Sequence, residues 1–267
     1  MVKSAAMREY CTGSIRIGAV AVHVISLSDL LAAFHRIIER REKGYACFCE
    51  AHLCVRAAKD GRTRRVLEEA TFVLPDGVAI TWGARLLGER FPDRLDGPSV
   101  MLDVCRYGLN RGYRHFFYGG AEGIPERLAE RLIDRYPGLK VAGTFSPPFR
   151  QLTPEEDAQI ITMINERNPD IVWVGLGAPK QEIWMHRCLP LYAPAVALGI
   201  GASLDFIAGT VKRSPQWMSQ SGLEWAYRLY REPRRLWRRY LINDPKFLLI
   251  LARTMKRPLE ERVLDSA

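Results

Sequence analysis

No run in this 267-residue sequence approaches the roughly 20 consecutive apolar residues that cross a bilayer. The longest late run, Phe247 to Ala252, is far shorter, and the opening MVKSAAMREYCTG lacks the apolar core of a signal peptide, so the chain reads as cytosolic and reduced. Cysteine is sparse and unpaired. The six, Cys11, Cys47, Cys49, Cys54, Cys105 and Cys188, include no C-x-x-C pair. Cys47 and Cys49 alternate along an apolar stretch and read as small buried hydrophobes rather than metal ligands. The five histidines form no H-x-x-H or H-E-x-x-H pattern, which leaves metal-hydrolase chemistry without its ligands. A nucleophile elbow, a P-loop and a Rossmann oxidoreductase fingerprint are all missing. Internal repeats and low-complexity tracts are missing too.

Acidic residues are in deficit. The formal net charge is +9, and between Lys212 and Tyr240 eight Lys/Arg face two Asp/Glu. Such a bias fits an anionic partner: a phospholipid surface, a diphosphate or a nucleic acid. Composition does not choose among the three. A hydrophobic content of 48% over this length is enough for one large core, or a core with an appendage.

The most informative stretch is IVWVGLGAPKQEIW, Ile171 to Trp184. Four apolar residues between Pro169 and Gly175 read as a buried parallel strand; Gly175, Gly177 and Pro179 turn the chain, and Lys180, Gln181 and Glu182 open a helix. Ligands of open parallel sheets bind at the carboxyl ends of strands, so Gln181 is placed to face one. A solvated polar turn would have the same composition. The same alternation runs along the chain: strand residues from Ile15 to Val24, a helix from Ser28 to about Arg41, a strand at Tyr45 to Cys49 and a short strand at Phe72 to Leu74. Further strands fall at His115 to Tyr118, Val141 to Thr144 and Ala195 to Gly199, with helices between them. This pattern predicts an α/β fold, a doubly wound, Rossmann-like, mostly parallel sheet. Asp76, delivered at the end of a strand before Gly77 and an apolar helix, is either a catalytic carboxylate or a helix cap. Gly119 and Gly120 end another strand where a phosphate or nucleoside could approach.

After Gly209 the composition changes to arginine and tryptophan, with Pro215 and Pro233 dividing it into short helices. The chain therefore divides into a catalytic core over 1–209 and a basic amphipathic helical appendage over 210–267. That appendage either packs on the core with solvated arginines or lies on a membrane surface.

Taken together, LPDG (74 to 77), YGG (118 to 120), VGLGAPKQE (174 to 182), LDFIAGTVKRSPQW (204 to 217) and GLEWAYRLYREPRRLWRRY (222 to 240) resemble the WecG/TagA/CpsF glycosyltransferases, glycosyltransferase family 26. The resemblance spans about Gly18 to Leu241. It implies inverting transfer of a sugar from a UDP-sugar to a polyprenyl-diphosphate-linked saccharide in bacterial polysaccharide biosynthesis. No metal or other cofactor and no nucleic acid would take part, and the enzyme would sit peripherally at the inner face of the cytoplasmic membrane. Homo-oligomers are plausible for such a core. By this resemblance Asp76 is the catalytic base and Gln181 an active-site glutamine; Arg94 is a pocket arginine, and Asp205 completes the nucleotide pocket. Arg228, Arg235 and Arg238 reach the acceptor diphosphate or departing UDP, as bidentate guanidinium groups can. That leaves Arg231, Arg234 and Arg239 for attachment to an anionic membrane, and truncation after Gly209 is expected to leave a folded core.

One element departs from the family. Where T-x-N is common, this sequence has Phe48-Cys49-Glu50, which leaves the donor open between N-acetylmannosamine and a hexose such as glucose, and lets Glu50 share acid–base work with Asp76. The rival reading is a non-catalytic nucleotide-sugar-binding module with a membrane-binding basic tail. Asp76 and Gln181 separate the two, because a pure binder requires neither.

Overall fold

The structure is a computed structural model that describes residues 10–193, 196–211, 214, 215, 218, 221 and 223–265, with the side chains of Arg235 and Asp265 outside that description. Two sheets organise the described residues. Strands β3 (Gly44–Cys49), β4 (Phe72–Pro75), β5 (Arg114–Gly119), β6 (Lys140–Phe145), β7 (Ile171–Gly175) and β8 (Val196–Gly199) form a six-stranded sheet in the order β4-β3-β8-β7-β5-β6, every pair parallel. The near-continuous apolar runs of β3 and β7 are buried on both faces, as a parallel sheet covered by helices requires. Helices α1 (Leu27–Glu39), α2 (Ala51–Lys59), α3 (Gly61–Glu68), α4 (Val78–Leu86) and α5 (Gly97–Gly108) belong to the first half. Helices α6 (Ile124–Arg135), α7 (Pro154–Glu166), α8 (Lys180–Cys188) and α9 (Ser203–Ala208) belong to the second.

Local signals set several of these starts. Ser26 caps α1 by accepting from the Asp29 amide, and Thr153 with Glu156 forms a reciprocal capping box on α7. The core lies in two layers, one on each face of the sheet: Tyr118, Val174 and Met185 in the first, Phe34, Phe72 and Trp173 in the second.

The expected strand from Ile15 to Val24 is instead a hairpin. β1 (Gly13–Ile17) and β2 (Val20–Val24) pair antiparallel about Gly18, which takes φ 64°, and stand apart from the main sheet. Here the apolar alternation continues through the turn, so periodicity alone does not reveal it. The third member of that small sheet is β9 (Val263–Asp265), which pairs with β1.

The segment after Gly209 is built into the core. It comprises α10 (Glu224–Arg231), α11 (Pro233–Trp237), a π-helical stretch (Arg238–Asn243), α12 (Lys246–Met255) and α13 (Leu259–Arg262). Phe247 and Leu251 of α12 are buried in the core, against the space that a side chain at Gly83 would need, and Thr254 accepts from the Gly18 amide at 2.9 Å. Cutting at Gly209 would remove those buried groups along with β9. The folded remnant expected from sequence therefore does not fit the packing. No helix among the described residues is long and apolar enough to cross a membrane.

Candidate active site

A cavity of about 760 Å³ opens at the carboxyl ends of β4, β3, β8 and β7. The chain order explains its place: β3 leads to β4 on one side, while its other neighbour, β8, arrives from far along the chain, so the loops part there. The volume lies within the range of about 300–1,000 Å³ typical of ligand pockets. Its floor consists of Asp76 and Gly77 after β4, Phe48 and Glu50 at the end of β3, Gly177 and Gln181 after β7, and Gly199 to Ser203 after β8. Its roof comes from the C-terminal segment through Glu224, Trp225, Arg228, Leu236, Arg239 and Tyr240.

Asp76 follows Pro75, its amide donating to the Cys49 carbonyl at 3.0 Å, so the end of β3 fixes where the carboxyl stands. Gly77 takes φ 78° and starts α4 without side-chain capping; Asp76 is therefore not a helix cap. Burial, and then the charges of Glu50, Asp96 and Glu224, push the Asp76 carboxyl up to about 7, while Arg94 acts in the opposite direction. A carboxyl with that affinity can exchange a proton near neutral pH.

Gln181 differs from expectation. Its Oε1 accepts from the amides of Gly177 at 3.1 Å and Gly201 at 2.9 Å, and its Nε2 donates to Glu182 Oε1 at 2.8 Å and the Gly199 carbonyl at 2.7 Å. The amide's hydrogen-bonding capacity is filled by the protein. Gln181 lines the cavity but acts as a clamp joining the loops after β7 and β8. Behind it, Glu182 is fully buried, and burial raises its carboxyl to about 7.

Glu50 is likewise engaged. It pairs with Arg239, which lies 3.8 Å from Asp244, and Asp244 lies 3.4 Å from His52. The Glu50–Arg239 pair ties the π-helical stretch to the start of α2. Glu50 therefore links the C-terminal segment to the floor instead of standing free beside Asp76, and Phe48 lines the cavity as an apolar wall.

Arg94 and Arg228 line the cavity; Arg228 also stands 5.6 Å over the Phe206 ring. Arg238 does not line it: it is exposed and lies against the Trp237 ring, and Arg239 takes the inward place assigned to it. The helical register explains the exchange. Leu236 is buried, and the residues three and four positions on, Arg239 and Tyr240, share its inward face. That spacing was the available signal for Arg239, which the sequence reading assigned to the membrane; Asp244 and His52 carried no comparable signal. The Arg235 side chain lies outside the described residues. Gly119 and Gly120 line neither this cavity nor a second one of about 660 Å³ beside β6. Gly119 is needed for packing, since a side-chain carbon there would come within 2.6 Å of the Gly175 backbone. Asp205 is also outside the lining, and its carbonyl accepts from Thr210.

A carboxyl poised near neutrality, opposite a roof of guanidinium groups, suits transfer of a group from an anionic leaving group. Comparison with known proteins agrees: the family model of glycosyl transferases named WecG/TagA/CpsF matches residues 15–261. The chain belongs to the WecG/TagA/CpsF glycosyltransferase family. It is similar to the N-acetylglucosaminyldiphosphoundecaprenol N-acetyl-beta-D-mannosaminyltransferase of Bacillus subtilis (strain 168), with 34% identity over 200 residues, 75% of each chain. The protein of the same name from Bacillus spizizenii is 33% identical over 192 residues, 72% of each chain. As a member of this family the protein is a glycosyltransferase, and both its α/β fold and its parallel sheet agree with the sequence reading.

Proposed function

We propose that this glycosyltransferase moves a sugar from a UDP-sugar to a saccharide carried on polyprenyl diphosphate, with inversion and without a metal, at the inner face of the cytoplasmic membrane. The observation that carries the reading is the Asp76 carboxyl, raised to about 7 in the same cavity as Arg94, Arg228 and Arg239. In the transfer step an acceptor hydroxyl gives its proton to the Asp76 carboxylate as its oxygen bonds to the anomeric carbon. The bond from that carbon to the UDP oxygen breaks on the opposite face, and UDP leaves with the electron pair. One further negative charge builds on the already anionic departing diphosphate, and the cavity guanidinium groups supply balancing charge. Arg235 adds to them by resemblance, and Gln181 keeps the Gly177 and Gly201 loops in position.

The names of the two relatives support N-acetylmannosamine as the transferred sugar and an N-acetylglucosaminyl diphospholipid as acceptor. Phe48 and Glu50 bear on donor choice through the wall they form, so Phe48→Thr with Glu50→Asn should shift donor preference. The exposed side chains of Trp225, Tyr230, Trp237, Arg231 and Arg234 favour attachment to an anionic membrane. UDP release from UDP-N-acetylmannosamine that depends on the acceptor tests the reading. Release with UDP-glucose alone would change the donor, and release with no acceptor-dependent donor would overturn the reading.

A further inference from the structure

Helix α4 carries an apolar face that the transfer chemistry does not use. Ala79, Trp82 and Leu86 follow one another at three- and four-residue spacing, and Trp82 and Leu86 are each 59% exposed. The face begins inside the site, because Val78 and Ala79 line the cavity next to Asp76. On α12, Leu248 lines the cavity wall and is 66% exposed, and the adjacent Leu249 is exposed as well. The two helices meet at Gly83, against which Phe247 and Leu251 pack. Apolar residues at the cavity wall, Ala79 and Leu248, thus adjoin exposed apolar side chains on both helices.

We infer that this α4–α12 face is the track for the hydrocarbon chain of the acceptor, a subsite distinct from the one that holds its diphosphate and sugar. The inference rests on the reading of a lipid-linked acceptor. Continuity and charge define the occupant: guanidinium groups stand inside the cavity, and exposed apolar side chains, with Arg85 between Trp82 and Leu86, begin at its rim, so one molecule with an anionic head and a long apolar tail satisfies both. A water-soluble nucleotide sugar would use only the inner part. Large exposed aromatic and aliphatic side chains in line also exceed the scattered apolar residues expected of an ordinary surface.

The test compares two detergent-dispersed acceptors with the same N-acetylglucosaminyl diphosphate head, one on an undecaprenyl chain and one on an octyl chain, using wild type, Trp82→Gln and Leu86→Gln. Burying one such side chain against hydrocarbon corresponds to roughly a tenfold effect or more. Each variant should therefore lose about tenfold in kcat/KM on the long-chain acceptor, mainly through KM, and stay within about twofold of wild type on the short one. Thermal midpoints equal to wild type would show that the variants fold. Equal losses on both acceptors, or no loss on the long one, would overturn the inference while leaving the transferase reading intact. Absence of UDP release by wild type with both acceptors would instead remove that reading and the inference with it.

Discussion

At the scale of single residues, the candidate base is also a strain on the fold. Asp76 is raised from about 3.8 in an unfolded chain to about 7 in the folded one, so the native state binds the extra proton between those values. Folding stability then declines as pH rises from about 4 through 7, and stays lower above that. Asp76→Asn should raise the thermal midpoint at pH 8, by at most the equivalent of about 4 kcal/mol, and the gain should vanish toward pH 4. Scanning calorimetry of both proteins at the two pH values checks this. An unchanged midpoint at pH 8 would mean that the carboxyl is not held in an unfavourable environment. Gln181→Ala has the opposite expectation. It would strand the amides of Gly177 and Gly201 and the Gly199 carbonyl, and should cost about 1–3 kcal/mol together with most of the activity, read by denaturant unfolding alongside turnover. The position of Asp76 was legible because a strand, a carboxylate and a glycine follow in order. The clamp at Gln181 was not, since two of its four partners, Gly199 and Gly201, are brought to it only by the β7–β8 pairing.

Elements explain most of what the sequence did and did not reveal. The strands of the parallel sheet are short apolar runs bounded by breakers, and each was visible as such. The β1–β2 hairpin was hidden in one alternating run, and β9 joins β1 from the far end of the chain, a pairing no local pattern carries. Short C-terminal helices divided by Pro215 and Pro233 were expected, but neither α12 and α13 nor the depth of packing was, because the apolar face of α12 is read equally well as a membrane face. Phe247→Ala should cost about 3–5 kcal/mol, as removal of a buried aromatic does, and truncation after Gly209 should give protein that fails to unfold cooperatively. Denaturant titration decides; a truncated chain with a sharp native-like transition would show that the tail is dispensable for folding. The Glu50–Arg239 pair ties this segment to the cavity floor, so Arg239→Ala should lower turnover at least tenfold, whereas Arg234→Ala, on the exposed side of α11, should leave it within about twofold.

For the molecule as a whole, the net charge of +9 and the proposed attachment to an anionic membrane make binding dependent on charge. Association with anionic vesicles should weaken with added salt, with each exposed arginine worth about 1 kcal/mol, and sedimentation of wild type beside Arg231→Ala with Arg234→Ala measures it. That binding would be compatible with a protein that only docks, so turnover must separate docking from chemistry. The most direct measurement is acceptor-dependent UDP release as a function of pH for wild type and Asp76→Asn. A general base with its carboxyl near 7 should give wild-type activity that rises through a midpoint of about 7 as the proton is lost. The asparagine variant should bind the UDP-sugar within several-fold of wild type yet turn over about 10² to 10⁴ times more slowly. Turnover by Asp76→Asn within about threefold of wild type, with the same pH midpoint, would contradict the assignment of Asp76 as the base.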